Sequence, residues 1–192
     1  MLVLDGKTES LGDKVEFKVE STIDPALPIQ DRKEVLAFLQ TVSKSANAAG
    51  ALRASLTELT DESKSVRNVL KRSNLSTPEL SEQARAIAKR LDDFSLQLNG
   101  DSNKQYFRVL SEPTISSRIN GVLRGASNST HGPTKTQREQ FEIGQSQLEQ
   151  ASSELKSFVE DEVLPLREAL DEAGIPWTKG RKIPEVSAGT KN

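Results

Sequence analysis

From Val35 to Ser73 the chain repeats one spacing without a break. Val35, Phe38, Val42, Ser45, Ala49, Leu52, Leu56, Leu59, Ser63, Val66, Leu70 and Ser73 follow each other in alternating steps of three and four. Only one face of an α-helix gathers residues at that spacing. The repeat covers about 40 residues, a rod of roughly 60 Å. Nine of the twelve positions are apolar and the rest are serines, so the stripe needs cover from other helices along its whole length. Aromatic residues make up only 4% of the chain, which suits a Leu- and Ala-based helical core. The stripe is thin between Ser43 and Ala51, where side chains are mostly Ser, Ala, Asn and Gly. That composition predicts close approach of a neighbour at Gly50.

Partner helices are legible downstream. Thr77-Pro78-Glu79 is a helix start, with a hydroxyl cap, proline in the first turn and an acid. Leu80, Ala84, Ile87, Leu91, Phe94 and Leu98 then form a stripe that Asn99-Gly100 ends. Residues 101–133 are less regular and hold a short amphipathic helix after Pro113-Thr114, with Ile115, Ile119, Val122 and Leu123 on one side. Thr134 or Thr136 caps a last long helix, marked by Phe141, Leu148, Ala151, Leu155, Phe158, Val159, Val163, Leu166, Leu170 and Ala173. Pro165 predicts a kink there, and Gly174 and Pro176 end it.

Ahead of the helices, Leu2-Val3-Leu4 leads into Asp5-Gly6, a hairpin dipeptide, and Val15, Phe17 and Val19 alternate with charged residues as in a half-buried strand. An isolated hairpin is marginal in water, so this one reads as packed on the bundle or as the end of a β-domain. The expected fold is mainly α: an antiparallel three-helix bundle, spectrin-like, with the middle helix broken into two pieces and a short β-hairpin in front. The expected divisions are 1–22 (hairpin), 23–30 (linker), 31–178 (bundle) and 179–192 (flexible tail).

Chemistry is sparse. The absence of cysteine removes disulfides, thiolate metal sites and a cysteine nucleophile. A net charge of −2 argues against nucleic acid as a partner. No apolar run approaches the ~20 residues of a membrane span. His131 is the one histidine and lies in a polar loop. Glu160-Asp161-Glu162 reads as a solvated face, since neighbours on a helix point apart. No phosphate-binding glycine loop is present. These readings predict no catalytic residue, no metal site and no cofactor. Charge is nevertheless segregated: residues 101–138 carry six bases against two acids, and residues 141–172 carry nine acids against two bases. The expected cause is a basic segment laid against acidic helix surface. Small residues at 43–51 and at Gly144 and 151–153 predict a slot that residues 101–126 fill, with Tyr106, Phe107, Val109 and Leu110 pointing inward. In this reading Phe107, Arg118, Gly50 and Trp177 are structural. Arg118 pairs with a carboxylate or carbonyl on a neighbouring helix, and Trp177 covers Leu70, Leu75 and Leu80.

Three patches carry a resemblance: Glu112-Pro113-Thr114-Ile115-Ser116-Ser117-Arg118-Ile119, Pro133-Thr134-Lys135-Thr136-Gln137-Arg138-Glu139, and Ala173-Gly174-Ile175-Pro176-Trp177-Thr178 with Gly180-Arg181. Together they resemble the C-terminal helical region of large bacterial secreted proteins with BNR/sortilin-like β-propellers, often labelled glycosyl hydrolases or sialidase-like. Lys179 stands where that family usually has proline. The resemblance implies that residues 1–20 end a preceding Ig-like domain and that a propeller lies further upstream. It also implies export to the periplasm or the cell exterior, with a signal peptide upstream of this fragment. No Ser-x-Asp-x-Gly-x-x-Trp box occurs here, so no hydrolytic residue carries over. The resulting expectation is a non-catalytic structural or interaction module whose partner is the rest of the parent chain or another protein. The alternatives are a freestanding helical adaptor or cell-surface coiled-coil protein, and an enzyme domain with a site around Arg118 and His131.

Overall fold

The computed structural model describes residues 2–4, 7–9, 16–20, 30–129 and 131–175. The chain is mainly α-helical. Helix α1 spans Arg32–Leu70, α2 Pro78–Asn99, α3 Ser102–Tyr106, α4 Ile115–Ser127, α5 Lys135–Phe158 and α6 Leu164–Glu172. A π-helical turn, Val159–Val163, joins α5 to α6. In front of them Leu2–Leu4 pairs antiparallel with Lys7–Glu9, Leu2 opposite Glu9. The expected strand through Phe17 and Val19 does not form: residues 16–20 are without regular structure, and both side chains are exposed. Period-two alternation stabilises a strand only when a partner strand and a face to bury are at hand.

Each helix begins as its sequence requires. Asp31 accepts the amides of Lys33 (2.7 Å) and Glu34 (3.3 Å) at the start of α1. Thr77 accepts the amide of Leu80 (3.3 Å), and Pro78 fills the first position of α2, where an amide would have no intrahelical acceptor. Glu79, fully exposed in that first turn, is held below the usual carboxylate range by hydrogen bonds from its own backbone amide and from the Thr77 hydroxyl. Thr134 and Gln137 form a reciprocal capping box on α5, each accepting the other's amide (3.2 and 2.8 Å).

Helix α1 packs against α2 and α4, α4 against α5, and α6 against α2. Two contacts fix the direction of the last helices. Near one end Phe38 meets Phe141 edge to face, centroids 5.5 Å apart. Towards the other, Arg167 of α6 grips Glu62 of α1 through two parallel bonds of 2.7 Å. Helices α5 and α6 therefore run alongside α1 in the same sense. The chain entering α1 is stapled to the α4–α5 loop: Gln30 donates its backbone amide to the His131 carbonyl (3.2 Å) and its side-chain amide to the Pro133 carbonyl (3.1 Å).

The core is the set of stripes read from the sequence. Val42, Ala49, Leu56, Val66 and Leu70 of α1 share it with Leu80, Ala84, Ile87, Leu91, Phe94 and Leu98 of α2. Ile115, Ile119 and Val122 of α4, Phe141, Leu148, Leu155 and Phe158 of α5, Val163 of the π turn, and Leu166 and Leu170 of α6 also belong to it. Phe94 and Phe158 lie 5.6 Å apart, with the Arg90 guanidinium over both rings. Ser63 is the one buried polar position among the described residues, and its hydroxyl oxygen has no hydrogen-bond partner there.

The helix accommodates Pro165 with a π turn. A proline has no amide to donate, and its ring clashes with the carbonyl one turn back. The helix widens by one residue just before it, so the Leu164 amide reaches the Val159 carbonyl, five residues back. A π turn of this kind absorbs the clash within a continuous helix.

Gly50 departs from expectation. A Cβ built there meets nothing within 4 Å, so no neighbour approaches it. The close approach is on α5 instead: a Cβ on buried Gly144 would lie 3.1 Å from Ile119 and 3.2 Å from Arg118, both on α4. Gly50→Ala should raise stability by about 0.5–1 kcal/mol through helix propensity alone. Gly144→Leu should lower it by about 1–3 kcal/mol or more through overpacking. Chemical denaturation of the two variants checks both signs. In the same assay Ser63→Ala should stabilise by about 1 kcal/mol, because it removes an unpaired buried hydroxyl and adds the best helix former.

Candidate interaction surface

Residues 100–114 join α2 to α4, and their conformation is set by two left-handed residues. Gly100 ends α2 at φ +82°, a value glycine adopts without strain. Asp101 then caps α3, accepting the amides of Asn103 (2.8 Å) and Lys104 (3.3 Å). Helix α3 closes after little more than one turn in a Schellman motif. The Val109 amide reaches the Lys104 carbonyl (2.9 Å) and the Arg108 amide reaches that of Gln105 (3.1 Å). The left-handed position of this motif usually holds glycine, as at the end of α6, where Gly174 has φ +68° and Ile175 donates to Leu170 (2.9 Å). At α3 the position holds Arg108, at φ +54°, the one non-glycine residue with positive φ among those described. A left-handed non-glycine residue costs about 1–2 kcal/mol.

This strained turn projects apolar side chains into solvent. Tyr106 is 82% exposed, Phe107 73% and Leu110 100%, and Val109 is exposed as well. Tyr106 and Phe107 touch each other edge to face, centroids 5.1 Å apart, and α3 buries none of its residues. The expectation that Tyr106, Phe107, Val109 and Leu110 point inward is therefore corrected. The slot is filled by α4 alone, through Ile115, Ile119, Val122 and Ala126. The connection is anchored only at its two ends. Gln105 donates to the Asn99 carbonyl (3.0 Å), and Ser116 donates to the Asn99 side chain (3.4 Å).

The other singled-out residues fall in separate places. Arg118 donates to the side-chain carbonyl of Gln140 on α5, so its partner is an amide and not a carboxylate. It borders a cavity with Pro113, Ser117, Gly121, Val122, Thr136, Gln137 and Gln140. His131 borders another, with Gln30, Arg32, Val35, Leu36, Leu39, Ser129 and Gly132. The two residues do not share a cavity, and among the described residues no Asp or Glu lines either one. Among the described residues no group of His, Asp and Glu is placed to hold a metal ion, and no helix is long and apolar enough to cross a membrane. Glu160, Asp161 and Glu162 are all exposed on the π turn. Trp177 lies outside the described residues.

Helix α4 of the basic segment packs against α5, but among the described residues its bases are not paired directly with acids there. Lys135 pairs with Glu139 one turn on (3.7 Å). Arg138 donates to Gln30 (3.1 Å) and stacks over Phe38, 4.9 Å from the ring centroid. Among the described residues, no ion pair joins the bases of 101–138 to the acids of 141–172. No family model, no curated protein and no solved structure matches this chain.

Sequence reasoning found residues 106–110 but assigned them to the core. Tyr106, Val109 and Leu110 stand at i, i+3 and i+4 as on a buried helix face, so their spacing gave no signal of exposure. Phe107→Ala should change stability by less than about 0.5 kcal/mol, as for other exposed positions, where a core phenylalanine would lose about 3–5 kcal/mol. A melting curve of the variant distinguishes the two.

Proposed function

We propose that this chain is a non-catalytic interaction module, an antiparallel three-helix bundle with a broken middle column, that docks the rest of its own parent polypeptide through residues 106–110. The exposed Tyr106-Phe107-Val109-Leu110 cluster carries the reading. Contiguous apolar surface held out on a strained turn stabilises nothing in the isolated chain, and such patches mark contact surfaces. Its position suits a neighbour arriving from the N-terminal side. Helix α4, with 13 residues, separates the cluster from the end of the bundle where the chain enters. That is a distance of about 20 Å, well within the reach of one preceding domain.

The resemblance to the C-terminal region of secreted BNR/sortilin-like propeller proteins identifies that neighbour as an Ig-like domain or the propeller before it. In this reading the parent is periplasmic or extracellular, and any glycoside hydrolysis belongs to the propeller. Glycoside hydrolysis requires two carboxylates about 5–10 Å apart at a cleft. Among the described residues, neither of the cavities around Arg118 and His131 has one at its wall.

The test begins with the reading frame upstream of Leu2, which should encode a β-propeller. The upstream part, produced separately, should bind this chain. A Tyr106→Ser/Leu110→Ser variant should fold normally and bind at least about tenfold more weakly, the loss typical of two central apolar contacts. An upstream frame without a propeller removes the parent assignment. Equal binding by the variant removes the docking surface. Turnover of a chromogenic glycoside panel by the pure chain, lost on mutating one of its acids, would overturn the non-catalytic reading.

A further inference from the structure

At the end of the bundle where α1 passes into α2, a cavity of about 310 Å³ is lined by Arg67, Leu70, Lys71, Ser81 and Arg85. Among the described residues that line it, three are cationic, one carries a hydroxyl, one is apolar, and none is acidic. The geometry points to a binding site for a phosphate or sulfate ester at this junction, with the anionic group held by Arg67, Lys71 and Arg85 and the organic part resting on Leu70.

The negative end of the α1 dipole accounts for some basic residues here. It explains the presence of Arg67 in the last turn and of Lys71 and Arg72 just after it. It does not explain Arg85, which comes from the second helix and converges on the same cavity. Nor does it account for the Nε of Arg67, which is buried without any hydrogen-bond partner among the described residues. A buried guanidinium nitrogen left unpaired is destabilising unless something accepts from it. None of the three bases takes part in an ion pair among the described residues. The acids closest in sequence are engaged or turned away: Glu62 is bound by Arg167, Glu79 is bonded at its own helix start, and Glu82 is exposed and not part of the wall. Arg85 Nε donates to the Ser81 carbonyl (3.1 Å), which leaves its terminal nitrogens for a ligand. The Ser81 hydroxyl shares a proton with that of Ser76 (3.1 Å) and keeps accepting and donating capacity.

The size argues for an ester over a bare ion. At about 30 Å³ per water the cavity exceeds what one oxyanion fills, and Leu70 offers that anion nothing. A soluble sugar phosphate and a lipid phosphomonoester headgroup share the same recognised chemistry.

Isotope-labelled protein at constant ionic strength tests the assignment by NMR. A hexose phosphate should produce saturable amide shifts confined to residues 66–72 and 78–86, which chloride does not. Co-sedimentation with phosphatidylcholine vesicles, with and without phosphatidic acid, tests the lipid source. Selective binding to the phosphatidic acid vesicles assigns the site to a headgroup, and hexose phosphate binding without it assigns a soluble ester. Arg67→Gln and, separately, the exposed Arg85→Gln should each weaken binding about tenfold or more, the loss of a charge-assisted hydrogen bond. Arg85→Gln keeps the test informative if Arg67→Gln perturbs folding. Absence of a saturable response to either phosphate source, or wild-type binding by Arg85→Gln, overturns the proposal.

Discussion

Everything in this molecule answers to the length of α1. Its 39 residues carry an apolar stripe from end to end, and an uncovered stripe of that length does not survive in water. Helix α2 has only 22 residues and by length covers α1 back to about residue 50. Helix α4 adds 13 more. Together the two pieces nearly match the rod, so the column opposite α1 is complete although the chain that builds it is not continuous. Residues 100–114 have no share in that column. They leave the bundle at Gly100, turn through α3 and return at Thr114, whose hydroxyl accepts the Ser117 amide (3.2 Å).

The exposure of Tyr106, Phe107, Val109 and Leu110 follows from this geometry. Helix α4 is already seated against α1 and α5, and the connection lies outside it. Helix α4 is seated closely because Gly144 lets Ile119 approach the α5 backbone. Close packing beneath the connection and apolar exposure above it thus have one cause. The left-handed Arg108 holds the cluster outward at the expense of backbone strain, a pairing of strain and exposure that is common where a surface serves contact.

Polar contacts then set direction and ends. The bidentate Arg167–Glu62 pair ties α6 to α1, with both side chains largely withdrawn from solvent. Gln30 binds the loop before α5 at the opposite end, using its backbone amide and both ends of its side-chain amide. Between them the π turn before Pro165 keeps the Val163, Leu166 and Leu170 stripe facing the core.

By itself the sequence determined the helices and their buried faces. The three-and-four spacing of α1, the cap at Thr77, the cap at Thr134 or Thr136, and the stripes of α2, α4 and α5 are local signals that need no knowledge of neighbours. Composition likewise excluded cysteine chemistry outright. Only the tertiary structure decided what the irregular residues do. Gly50 and Gly144 are alike as sequence, yet one faces open space and the other an isoleucine, because a glycine's role depends on what lies across from it. Phe107 reads as core by its chemistry and stands in solvent, because burial depends on room left by other helices. Arg67, Lys71 and Arg85 are unremarked charges along two helices until the α1–α2 turn folds them around one cavity. Side-chain pattern reports which face a helix must hide, while the sum of helix lengths and close approaches decides which residues are left outside.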